Sequence, residues 1–143
     1  MNKNLTIFFY YLLPIAFLFS SCQNKTKNYL VKKWDCVQVD NLAPIDKNFT
    51  NKADSVTAVK IEAALKALSW TFNKNNTYQC SSIGGRITVQ GVYEISEDEK
   101  TLTCKSITGN TVNNYMITSL SENELTLTST ATFTPLILHF RPN

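Results

Sequence analysis

From residue 70 to residue 141 apolar and polar residues alternate with a period of two, and short polar breaks interrupt the alternation repeatedly. This pattern fits β-strands with one face in a core and one in water, and it is wrong for amphipathic helices. The strands read as residues 70–73, 77–82, 86–96, 101–107, 111–120, 124–131 and 133–141. The breaks include Lys74-Asn75-Asn76, Gly84-Gly85, the charged run 97–100, Thr108-Gly109-Asn110 and Ser121-Glu122-Asn123. Links this short join antiparallel neighbours, so the sheet is a meander. A further strand over 29–39 brings the count to eight. Eight strands can close on themselves around an interior that side chains fill or one small ligand occupies. Closure also removes the exposed edges of a long open sheet. The expected fold is mainly β, an eight-stranded antiparallel meander barrel with one α-helix between the first and second strands. An open or two-layered sheet with the helix over one opening is the alternative.

That helix is expected over 54–69, where Ala58, Ile61, Leu65 and Leu68 fall on one apolar stripe. Asp54 or Ser55 can cap its start. Between the first strand and the helix, Asp40-Asn41 is a turn pair, and Pro44 marks an irregular loop. Gly91, inside a strand, marks a bulge or a close backbone approach.

The N-terminus follows another logic. Lys3 precedes a run from Leu5 to Phe19 that is almost wholly apolar, then Ser20, Ser21 and Cys22. A positive start, an apolar core and small residues before a cut make a secretory signal. The run is about 15 residues, short of the roughly 20 that a spanning helix needs, and Pro14 weakens it further. Phe19-Ser20-Ser21-Cys22 resembles a bacterial lipobox, with Phe19 at the position usually held by Leu. The resemblance implies cleavage before Cys22 and lipidation, with palmitate, of its sulfur. The expected organisation is therefore a signal peptide over 1–21, lipidated Cys22 and a polar tether over 22–28, and a barrel domain over 29–143. Loss of Lys3 lowers the formal charge from +3 to +2. That balance, with scattered lysines, argues against a nucleic-acid partner. Gln23 after Cys22 points to the outer membrane, and the absence of acidic residues in "QNKTKN" to its periplasmic face.

Several stretches in order are similar to the lipocalin-like lipoproteins of Bacteroidetes. They are "YLVKKWDCVQV" with its early tryptophan, "LSWTFNKNNTYQC", "GVYEISEDEKTLT", "YMITSLSENELTL" and the closing "LILHFRP". Lys32 stands where lipocalins usually place Gly, and Asn76 stands where the hairpin usually has Gly. Asn accepts the same left-handed backbone. The resemblance implies a barrel able to hold a small apolar molecule. An interior lined by Trp34, Trp70, Phe72, Tyr78, Tyr93, Tyr115 and Phe140 is the candidate ligand cavity, and the same side chains can instead simply fill it.

Reactive chemistry is sparse. With Cys22 set aside, Cys36, Cys80 and Cys104 are an odd set. They allow one disulfide or three buried thiols in an oxidising envelope, and they lack metal-ligand clustering. His139, the one histidine, shares a strand face with Ile137 and Arg141, opposite Leu138 and Phe140. No nucleophile elbow or phosphate loop is present, so neither catalysis nor a cofactor is expected. Two functions remain: a non-catalytic, monomeric, membrane-anchored binder of a small apolar molecule, or an envelope interaction or inhibitor protein with a filled barrel. The second would act through loops such as 42–52 or 81–86.

Overall fold

The computed structural model describes residues 23–42, 52–82, 86–130 and 135–143. The signal region, Cys22, most of the 42–52 loop and Gly84-Gly85 lie outside the described residues. The elements run α1 (Gln23–Leu30), β1 (Lys33–Asp40), α2 (Lys52–Lys66), β2 (Ser69–Phe72), β3 (Thr77–Ser81), β4 (Ile87–Ile95), β5 (Thr101–Ser106), β6 (Val112–Leu120), β7 (Leu125–Ser129) and β8 (Ile137–Pro142). The strands form a closed barrel in sequence order, every neighbour antiparallel, with β1 bonded to β8. The barrel is closed, and the open or two-layered alternative is set aside.

Turn chemistry fixes the hairpins. Asn41, Asn76 and Asn110 take positive φ angles of 55°, 63° and 50°, the left-handed region that Asn tolerates. Glu99 joins them at 59° in the β4–β5 turn, where the Asp98 carboxylate accepts from Ser96 Oγ and the Lys100 amide. The β2–β3, β4–β5 and β6–β7 turns and the C-terminus share one end of the barrel with Lys33. The other end carries the β5–β6 turn and α2.

The end near Lys33 is plugged, and here the structure departs from the sequence reading. Residues 23–28, expected as a tether, form the body of α1, and the first strand begins at Lys33 rather than Tyr29. Leu30 at the end of α1 is fully buried, and the indole of fully buried Trp34 donates to its carbonyl at 2.9 Å. Polar residues fold here because buried Leu30, its hydrogen bond from Trp34 and further side-chain bonds to the neighbouring turns hold the helix across the barrel floor.

β1 also carries a bulge. Cys36 faces Phe140 and Gln38 faces His139, so Val37 is the extra residue and is 46 % exposed. The bulge reverses the alternation, and Val39 turns inward where a regular strand would turn it out. The β1–β2 ladder runs on to the Cys36 amide, which donates to Leu68 O at 3.1 Å just past α2, and beyond it β1 stays with β8. Leu65 and Leu68 of the expected helical stripe pack on the core, whereas Ile61 is 42 % exposed. The last turn of α2 and the residues that follow it pack on the barrel.

Gly91 is a close approach rather than a bulge. A Cβ there would stand 1.9 Å from Lys105 O and 2.8 Å from Tyr78 Cε1. The first of these is backbone locked in the β4–β5 ladder, so it cannot yield. Gly91→Ala is expected to cost about 3 kcal/mol or more. Denaturant unfolding reads this as a lower midpoint, and an unchanged midpoint would contradict the packing described.

Candidate binding cavity

Trp70 divides the barrel interior. It meets Phe72, Tyr78, Phe140 and Tyr115 with ring centroids 6.1, 6.3, 5.7 and 5.6 Å away. On its Trp34 side the space is filled. Phe72 and Tyr93 pack edge to face at 5.2 Å, the Tyr93 hydroxyl donates to Asn73 O at 2.9 Å, and Trp34, Leu102, Leu125 and Leu127 are fully buried. On the α2 side a cavity of about 120 Å³ remains. Leu65, Leu68 and Trp70 line it, with Leu136, Leu138 and Phe140 across from them. Cys36, Tyr115 and Ser129 supply its polar side chains. Of the seven aromatic residues expected to line a cavity, Trp70, Tyr115 and Phe140 do so here, whereas Trp34, Phe72, Tyr78 and Tyr93 pack the barrel below.

The electrostatics keep this interior neutral. Burial pushes the Cys36 thiol up to about 11 and Cys104 to about 12, and raises Cys80 as well. Burial likewise pushes the Tyr78 hydroxyl up to about 12, and raises those of Tyr93 and Tyr115. Cys36, Cys80 and Cys104 are all free thiols. Protonated thiols in apolar surroundings act as small hydrophobes.

A second hollow, about 390 Å³, lies at the α1 end between Lys27, Asn76 and the 94–99 segment, and of the seven expected aromatic residues Tyr93 also borders it. His139 stands on the outer wall, 34 % exposed at its side chain. Its Nε2 is 2.9 Å from Asp40 Oδ2 and its Nδ1 is 3.3 Å from Thr126 Oγ1. The Gln38 amide and then His139 hold the Asp40 carboxyl below its ordinary range. This hydroxyl–imidazole–carboxylate row crosses β7, β8 and β1, and neither cavity adjoins it. Among the described residues no cluster of three or more His, Cys, Asp or Glu is placed to hold a metal. No described helix is long and apolar enough to cross a membrane.

The same barrel occurs in solved structures. A DUF4847 family protein from Bacteroides vulgatus aligns with a TM-score of 0.53 at 13 % identity, over 82 % of this chain and 96 % of that one. A lipocalin-like protein from Bacteroides uniformis aligns with a TM-score of 0.50 at 14 % identity, over 80 % and 98 %. The fold is lipocalin-like. An uncharacterized protein from Bacteroides eggerthii also aligns on the lipocalin-like barrel, with a TM-score of 0.51 at 10 % identity over 80 % and 99 %. No family model and no curated protein matches the sequence.

Sequence reasoning missed α1, which is polar along its length and offers no apolar period to read. It also missed the role of Leu65 and Leu68 as cavity wall, although the helical stripe contained both.

The thiols give a test. A group whose folded pKa lies above its unfolded value keeps its proton longer in the native state. Stability is therefore undiminished below about pH 9, the ordinary thiol value, falls as pH climbs from there toward 11 and 12, and levels off beyond. At pH 8 all three thiols should be silent to a thiol reagent when folded, and all three should react after unfolding without reductant. Fewer than three reacting would reveal a disulfide.

Proposed function

We propose that this protein is a non-catalytic binder of a small apolar molecule, anchored in the bacterial envelope by a lipid on Cys22. The observation that carries the reading is the apolar cavity between Trp70 and α2 in an otherwise filled lipocalin-like barrel. Burying a ligand there removes apolar surface from water at roughly 25 cal/mol per Å². The wall offers a hydroxyl or a thiol for one polar end of a ligand and no charged group.

Size sets the ligand class. An engineered apolar cavity of about 150 Å³ accepts benzene. A cavity of about 120 Å³ therefore suits one ring or the end of a short chain, unless α2 shifts. Outer-membrane placement on the periplasmic face rests on Gln23 and the acid-free "QNKTKN" segment. The inhibitor reading would act through residues 42–52 and 81–86, most of which lie outside the described residues.

Benzene and hexanol are suitable probes. Each is expected to raise the melting temperature and to change the fluorescence of Trp70 on the cavity floor. Leu136→Phe, which fills the half-buried upper wall, should leave the fold intact and abolish both responses. Equal responses from wild type and Leu136→Phe would place binding elsewhere and contradict the reading.

A further inference from the structure

We propose that α1 holds the lipid anchor rigidly against the barrel floor, so that the plugged end lies on the bilayer surface and the α2-covered cavity faces away from it. This rests on the lipid-anchor reading of Cys22. The partner is the headgroup layer of the membrane.

The argument is about length. α1 begins at Gln23, the residue directly after Cys22. A flexible tether of six residues would span on the order of 13 Å and let the barrel tumble beside the membrane. A helix in its place leaves no slack. Its attachment is distributed. Thr26 Oγ1 donates to Glu99 Oε2 at 2.6 Å in the β4–β5 turn. Leu30 is buried beneath Trp34, and Lys32 Nζ donates to Glu122 O at 2.9 Å in the β6–β7 turn. Glu99 takes its left-handed φ of 59° in the turn that docks the helix. Its other oxygen is buried with no hydrogen-bond partner among the described residues, as expected for a carboxylate covered by a docked element.

What α1 leaves outward is polar. Lys25 and Asn28, three residues apart on one helical face, are exposed. Around them stand the exposed cations Lys33, Lys74 and Lys100 and the exposed acids Glu97, Asp98 and Glu122. A polar, nearly balanced surface suits contact with headgroups and does not insert. Orientation is therefore set by the anchor and the helix, and should be insensitive to salt. The nine residues of β4 span about 30 Å before tilt, which puts the cavity on the order of 20–25 Å from the anchor. The ligand then reaches the cavity from the aqueous side rather than directly from the bilayer.

The test uses the full lipidated protein in phosphatidylcholine vesicles containing a headgroup-attached nitroxide quencher. A fluorophore is placed on Asp98→Cys in the β4–β5 turn or on Thr108→Cys at the opposite end, the native thiols being buried. Quenching is expected to be several-fold stronger at the first site, at low and at high salt. A Gly/Ser insert of about ten residues after Cys22 should erase the difference. Equal quenching in the uninterrupted chain overturns the proposal. So does stronger quenching at Thr108, which would put exposed Ile107 and Val112 at the bilayer. The mass of the N-terminal peptide separates the two ideas. A lipidated peptide with equal quenching sinks the orientation alone, whereas an unmodified Cys22 sinks the anchor and the orientation with it.

Discussion

The pairing of β1 with β8 sets the terms for the rest of the molecule. It joins the first strand to the last, from Trp34 opposite Pro142 to Asp40 opposite Ile137, and leaves the sheet without an edge. An eight-stranded closure has an interior only about as wide as the side chains that point into it. Every large residue inside therefore competes with a ligand for the same volume. Trp34, Phe72, Tyr93 and Phe140 are among the largest fully buried side chains, and three of them fill the half that α1 plugs. What space remains lies where β1 leaves β2 and the end of α2 moves in.

The same closure explains the quiet chemistry. The buried residues among those described are apolar, aromatic or thiol, and burial keeps the thiols protonated. The Asp40–His139–Thr126 row lies on the outer wall, remote from either cavity. Under the proposed function, recognition in the interior comes from shape and apolar contact, with Tyr115 or Ser129 giving direction.

Much of this architecture is legible in the sequence because period-two alternation and turn residues are local signals. The hairpin at Asn76 and the inward faces of Tyr93, Leu102, Cys104 and Phe140 follow from that reading, which left Gly91 as either a bulge or a close approach. What could not be read depends on partners distant in sequence. α1 has no apolar stripe and is held by Leu30, Trp34 and Glu99. The bulge at Val37 is visible only as a slip against β8, and it alone turns Val39 inward. Ile61 belongs to the right helical stripe yet stays 42 % exposed, while Leu65 and Leu68 further along pack on the core. The division of the aromatics into floor and wall follows from Trp70, whose strand is short and whose ring neighbours are Phe72 of its own strand and Tyr78, Tyr115 and Phe140 of three others.

Under the proposed function, a small apolar guest sits between Trp70 and the end of α2. Methyl NMR of leucine-labelled protein, titrated with an apolar extract of the bacterial envelope, addresses it most directly. Binding in the cavity predicts saturable shifts at Leu65, Leu68, Leu136 and Leu138, with Leu102, Leu125 and Leu127 of the packed half unmoved. Shifts confined to the packed half, or no saturable shift at the four cavity leucines, would contradict it.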